Sequence, residues 1–235
     1  MGLSSFKAVF FDAGGTLFHP YPSVGEIYAE VAGRYGCQVR PAEVEKNFRE
    51  IWLAKDAMTS PKTHSNEKIE KEWWSRLVRE VFSRLGEIPD FEGFFEELYH
   101  VFADPGVWRL YPGTVEVLDR LKEQRCRLGI VSNWDSRLFG LVSGLGLEGY
   151  FEFVLASAVV GFSKPHPKIF EEALRRMGVL PQEAVHIGDS LEDDISGAVG
   201  AGLEAIFIDR HDPEGTRHHT IPEKVRIIRH LRELL

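Results

Sequence analysis

A chain of 235 residues is long enough for one α/β domain with a smaller unit appended to it. Its 43% apolar and 27% charged residues are ordinary for a globular protein, and no apolar run approaches the length of a membrane span. A formal charge of -8 argues against nucleic acid as a partner, because phosphate backbones select basic surfaces. A small phosphorylated molecule stays open to it, since a few local cations can dominate a cleft. The two cysteines, Cys37 and Cys126, lie far apart in dissimilar settings, which predicts reduced thiols and suits a cytoplasmic protein. The N-terminus shows no signal-peptide pattern, and Met1-Gly2 resembles a myristoylation start only until Phe6, where Ser or Thr is needed. No membrane partner is expected, and oligomeric state is not encoded in any pattern.

In chain order, the apolar run 6–11 reads as a buried strand that delivers Asp12 into Ala13-Gly14-Gly15. Four helical stretches follow, at roughly 23–35, 41–57, 66–85 and 91–103, separated by Gly36, Pro41, Pro61, Gly86 and Pro89. Beyond Pro105-Gly106, Pro112 opens a helix with Val115, Leu118 and Leu121, and 127–131 is a strand. A helix at 136–144, a strand at 153–156, a helix at 167–177 and a strand at 184–187 come next. A further helix starts near Asp193, 205–208 is a strand, and the tail 221–235 reads as an amphipathic helix through Val225, Ile228 and Leu231. Strands alternating with helices indicate a parallel sheet covered on both faces. The helical block is then an insertion: residues 1–20 and 106–235 form the core, and 21–105 form a helical cap.

In open α/β sheets, ligands bind outside the carboxyl ends of the strands. The residues found there are Asp12 after the first strand, Ser132-Asn133 after the next, and Gly188-Asp189 after the fourth. Lys164 lies between them in Ser163-Lys164-Pro165. Each has an ordinary explanation alone: a strand-end Asp caps a turn, Asp193 and Asp194 suit a helix's first turn, and a lysine is usually solvated. Their coincidence at one crevice outweighs those explanations. A carboxylate can attack phosphorus and split hydrolysis into two easier steps. Two approaching anions need a cation, and Mg²⁺ favours carboxylates, a carbonyl and waters. Lys164 would offset charge on the transferring group while the Ser132 hydroxyl orients it. Other conspicuous residues read as structural: His186 as a packed core histidine, Trp73 and Trp74 as packing, and His218-His219 as a solvated loop.

Asp12-Ala13-Gly14-Gly15-Thr16-Leu17, Ser132-Asn133, Lys164-Pro165 and Gly188-Asp189 through Asp193-Asp194 resemble, in order, the four motifs of the haloacid dehalogenase superfamily. The resemblance implies a Rossmann-like core with an inserted α-helical cap. It makes Asp12 nucleophile and metal ligand, with the Gly14 carbonyl and Asp189 completing the protein's share of a magnesium shell. Ser132 and the Asn133 amide would hold phosphoryl oxygens, and Lys164 would steady nucleophile and phosphate. Asp194 matches the longer acidic spacing and would act through a metal-bound water, while Asp193 fits the shorter one. One position departs from the pattern. Family phosphatases carry a general acid–base aspartate two residues after the nucleophile, where this chain has Gly14; such proton transfer is worth roughly 10²–10⁴ in rate. His19 and the cap are candidate substitutes. The expectation is a magnesium-dependent hydrolase of a small phosphorylated metabolite. The alternatives are a phospho-ligand- or partner-binding protein with little turnover, and a metal-independent 2-haloacid dehalogenase.

Overall fold

Four consecutive buried residues, Ala8–Phe11, form β1, whose side chains alternate between two apolar layers. Val9 and Phe11 face one layer, Ala8 and Phe10 the other. The computed structural model describes residues 3–53, 64–210 and 225–235. Parallel to β1 run β4 (Arg127–Ser132) on one side and β6 (Ala184–Gly188) on the other. With β5 (Phe153–Ala156), β7 (Glu204–Ile208) and β8 (Arg226–Ile228) they make a six-stranded parallel sheet of order β5-β4-β1-β6-β7-β8. Burial on both faces explains why these strands read as unbroken apolar runs. One face is covered by α5 (Thr114–Glu123) and α6 (Arg137–Gly144), through Val117, Leu118, Leu121, Leu138 and Leu141. The other is covered by α8 (Pro167–Met177) and α9 (Gly197–Gly200), with the one-turn α7 (Ser157–Val160) following β5.

The helical block comprises α1 (Val24–Arg34), α2 (Pro41–Leu53), α3 (Glu67–Ser83) and α4 (Phe91–Val101). Side-chain caps fix three of its helix starts: Ser23, Asn66 and Asp90 each accept an N–H from the first turn. The block has an apolar core of its own, centred on Tyr28, Val31, Leu77, Val81, Phe82 and Phe94. Chain leaves and re-enters the sheet domain through a short antiparallel ribbon, β2 (Phe18–Pro20) against β3 (Trp108–Leu110).

Two expected elements are corrected. The tail is not a helix: β8 adds to the sheet edge beside β7, and a 3₁₀ turn follows at Leu231–Leu234. Val225, Ile228 and Leu231 recur every three residues and so imitate a helical stripe. The helix near Asp193 begins as a π-helical turn, Leu191–Ser196, before α9. Residues 54–57 of the second expected helix, the first part of the tail and the loop at His218-His219 lie outside the described residues. Cys37 and Cys126 are buried and free. No helix among the described residues is long and apolar enough to cross a membrane.

Candidate functional site

Chain progress reverses direction across the sheet at β1, with β4 and β5 to one side and β6 to β8 to the other. That makes the carboxyl end of β1 the topological switch point, where such sheets open a crevice. Phe11 is level with Ile130 of β4 and Ile187 of β6. Residues just past these three strands therefore converge, and the Asp12 N–H donates to the Ile187 carbonyl at 2.9 Å to hold the register.

The side chains form one buried network. Ser132 Oγ and Lys164 Nζ both donate to Asp12 Oδ1, at 2.8 and 2.7 Å. The same ammonium donates to Asp194 Oδ1 at 2.5 Å. His186 Nε2 lies 2.7 Å from that oxygen, and the Ser190 N–H reaches Asp194 Oδ2 at 3.0 Å. Burial alone would depress the Lys164 ammonium, but Asp12 and Asp194 outweigh it and hold it above the ordinary lysine range. Burial alone would likewise raise the Asp194 carboxyl; Lys164 and the His186 hydrogen bond outweigh it and hold it well below the usual carboxylate range. Both groups are thus charged in the folded protein. Lys164 is placed by its backbone: its N–H donates to Asn133 Oδ1 at 2.7 Å, and its carbonyl accepts from Asn133 Nδ2 at 2.9 Å. The Asn133 side chain is therefore committed to positioning Lys164, which leaves its backbone as the part of that residue able to meet a ligand.

Close approach of the carboxylates depends on two glycines. Gly15 has φ +82°, and a Cβ there would stand 2.2 Å from Asp189 Oδ2; a Cβ at Gly188 would stand 2.1 Å from the Asp194 carboxyl carbon. Carboxylate oxygens of Asp12, Asp189 and Asp194 lie within 4.8 Å of one another. An all-oxygen set suits a hard cation. Three carboxylates gathered beside the Lys164 ammonium make a site whose negative charge a divalent ion would help to balance.

At Gly14 the surroundings are of another kind. A Cβ there would lie 2.7 Å from Trp134 Cζ3, because the indole ring occupies the space beside this backbone. Trp134 is fixed from both sides. Its N–H donates to Ser157 Oγ at 3.0 Å, its carbonyl accepts from Ala158 N–H at 3.0 Å, and its ring packs on Phe18 and Trp108. On the far side of the loop, Arg210 donates to the carbonyls of Gly15 and Thr16 and lies over the Tyr111 ring.

A cavity of about 430 Å³ extends from Asp12, Ser132, Lys164 and Asp189 to the helical block. The block meets the core across polar contacts. Tyr99 Oη donates to Asp135 Oδ2 at 2.7 Å, and Arg137 bonds both Asp135 oxygens and the Tyr99 carbonyl. Ser157 Oγ and Ser65 Oγ both donate to Glu70 Oε1, and the Ser136 N–H donates to Glu67 Oε1.

Asp12, Ser132, Lys164, Asp189 and Asp194 are thus brought together, with Gly14 and Asn133 lining the same cavity. Of the two adjacent aspartates, Asp194 is buried in the carboxylate cluster, whereas Asp193 is half-buried at the cavity wall. His19 lines the cavity as well, its Nδ1 2.9 Å from the Pro20 carbonyl. His186 is buried as expected and also bonds Asp194, Trp74 lines the cavity as well as packing, and Trp134 fills the space beside Gly14.

Residues 6–202 match the haloacid dehalogenase-like hydrolase family. Haloacid dehalogenase-like hydrolase domain-containing protein 3 of Mus musculus is 33% identical over 227 residues, covering 95% of this chain and 90% of its own length. Among solved structures, a HAD phosphatase from Thermococcus onnurineus is similar at TM-score 0.65 and 28% identity, over 97% of this chain and 95% of that one. The L-2-haloacid dehalogenase from Xanthobacter autotrophicus shares the fold at TM-score 0.75 and 22% identity, over 97% and 96%. Motifs, sheet order and these likenesses agree: the chain is a hydrolase and belongs to the haloacid dehalogenase-like family.

Proposed function

We propose that the chain is a magnesium-dependent phosphatase for a small phosphorylated molecule, with Asp12 as its nucleophile. The observation that carries this is the shared oxygen of Asp12. Ser132 and Lys164 both donate to Oδ1 and hold it still, Oδ2 accepts no hydrogen bond from the described residues, and Asp12 lines the cavity. Lys164 keeps its charge and draws the phosphoryl oxygens toward Asp12, while the Ser132 hydroxyl and the Asn133 backbone N–H orient them. Magnesium would be held by Asp12, Asp189 and the Gly14 carbonyl, and would neutralise charge as phosphate meets carboxylate. Asp194, whose oxygens already meet Lys164, His186 and Ser190, fits a place one water away from the ion. Free thiols at Cys37 and Cys126 suit a cytoplasmic setting.

Gly14 bears on both halves of the reaction. No side chain there protonates the leaving oxygen, and none activates water against the aspartyl-phosphate, so the second step is slow and the phosphoenzyme accumulates. Rapid mixing with p-nitrophenyl phosphate and Mg²⁺ should release about one nitrophenol per active site before a slow steady rate. Asp12→Asn and chelation of the metal should each abolish the burst. A second reading has Gly14 itself in its favour, because halide leaves without protonation. Release of halide from 2-chloropropionate in the absence of Mg²⁺ would replace the phosphatase by a dehalogenase. Binding of phosphate analogues with no turnover of any phosphate ester would replace it by a binding protein.

A further inference from the structure

Two features of the cavity constrain what can leave from the phosphorus. One is the missing proton donor. Gly14 offers no side chain, and the Trp134 ring fills the place where one would stand. With no carboxyl at this position to donate a proton, a leaving oxygen that is weakly basic by itself is favoured. Water holds its proton to a pKa of about 15.7, and simple alcohols resemble it; a phenol releases its proton near about 10. The geometry beside Asp12 thus disfavours alkyl esters and tolerates aryl ones.

The other feature is the lining that the helical block contributes. In the helical block Phe48, Trp52 and Trp74 line the cavity. Trp52 lies between the other two, stacked on Phe48 at 5.7 Å and 17° and on Trp74 at 5.8 Å and 18°. Three nearly parallel, stacked rings give this part of the cavity an aromatic lining, which favours offset or edge-to-face contact with another planar ring. The charged lining residues on this wall are Glu45 and Arg49, whose charges offset each other, and Glu45 already accepts the Gly25 N–H. Arg137 is bound to both oxygens of Asp135. Among the described residues this wall thus carries no surplus of cations for a second phosphate.

We infer that the substrate is a phosphate monoester of an aromatic hydroxyl, its ring seated against the Phe48–Trp52–Trp74 stack and its phosphoryl group at Asp12. This rests on the phosphatase reading of Asp12. In the first step the Asp12 oxygen forms a bond to phosphorus as the bond to the aryl oxygen breaks. The electron pair leaves with that oxygen as an aryloxide, which takes its proton from water outside the site. In the second step water attacks phosphorus, the Asp12–phosphorus bond breaks, and inorganic phosphate leaves with the carboxylate restored and one proton passed to solvent.

The test compares kcat/KM for three donors in Mg²⁺: 2-naphthyl phosphate, cyclohexylmethyl phosphate and acetyl phosphate. The naphthyl ester should exceed the cyclohexylmethyl ester by roughly 10²-fold or more, the lower end of what general acid catalysis would otherwise supply. Trp74→Ala should lower the ratio of naphthyl to acetyl phosphate turnover by about tenfold, the scale of one lost stacking contact. A ratio within one variant is insensitive to how much of that variant is folded. Equal turnover of the two esters, or an unchanged ratio in Trp74→Ala, overturns the aryl assignment. If Asp12-dependent hydrolysis of acetyl phosphate is seen while aryl esters gain nothing, the assignment alone fails. If acetyl phosphate is not hydrolysed in an Asp12-dependent way, the phosphatase reading fails with it.

Discussion

Restoring the missing aspartate is an obvious experiment, and the packing around Gly14 predicts that it fails. The backbone at Gly14 is not in the left-handed region, so Gly14→Asp meets no conformational barrier. The obstacle is Trp134, with Cζ3 at 2.7 Å and Cη2 at 3.3 Å from the new Cβ, where ordinary contact begins at 3.4 Å. The ring cannot retreat freely, since Phe18 and Trp108 lie 5.9 and 5.3 Å away, centroid to centroid. Overpacking of this kind costs about 1–3 kcal/mol, and each of those lowers Tm by about 2–4 °C in a chain this long. Gly14→Asp should thus be destabilised without gaining turnover of alkyl phosphates. Combined with Trp134→Ala the strain disappears, so the pair should couple favourably by about 1–3 kcal/mol. Alkyl phosphate turnover in the double variant should then exceed that of Trp134→Ala by roughly 10²–10⁴. Four proteins, urea unfolding and steady-state rates complete the cycle. Wild-type stability in Gly14→Asp, or a gain in alkyl phosphate turnover with Trp134 intact, would refute the steric account.

Lys164→Met should leave Asp12 and Asp194 buried without their shared cation, costing about 3–5 kcal/mol in urea unfolding and abolishing turnover. Arg137→Met strands the fully buried Asp135 and should cost a similar amount, about 3–5 kcal/mol, on the same assay. Glu70 supplies a pH dependence. Burial, with Asp135 in support, raises its carboxyl above the ordinary 4.5, while the hydroxyls of Ser65, Ser157 and Ser163 act against. A raised carboxyl favours the fold when protonated, so its contribution is complete below pH 4.5 and is lost as pH climbs through the raised value. Stability of wild type relative to Glu70→Gln should therefore fall as pH rises from that point; a difference that grows with pH would contradict the burial of Glu70.

Much of the fold was legible because buried parallel strands are short unbroken apolar runs, and each of the strands carrying the site ends on a polar residue. Asp12, Ser132 and Asp189 could be placed on that ground, and Lys164 by its place between Ser163 and Pro165 just before a helix. What escaped depends on contacts between residues distant in sequence or on elements too short to show a period. The β2–β3 ribbon has three residues per strand, and β8 has three more, so neither displays alternation. His186 sits in an apolar strand like any core residue, and its bond to Asp194 follows only from the π-helical turn that folds Asp194 back toward β6. The space beside Gly14 reads as empty in sequence and as an indole ring in structure. Arg210 reaches the loop after Asp12 from beyond β7, across almost the whole chain.

The β2–β3 ribbon has a bearing on how such a protein can change over generations. Phe18 is paired with Leu110 and Pro20 with Trp108, so the two ends of the helical block are fastened to each other before either reaches the sheet. Whatever lies between is a closed loop whose ends are joined by the ribbon. Doubling the length of such a loop costs only about 0.6 kcal/mol in closure entropy. Loops of the block can therefore be lengthened with little penalty to the sheet, provided the contacts of Glu67, Glu70 and Tyr99 to the core persist. The proposed reaction centre at Asp12, Lys164 and Asp194 lies in the sheet domain, apart from the loops such changes would alter.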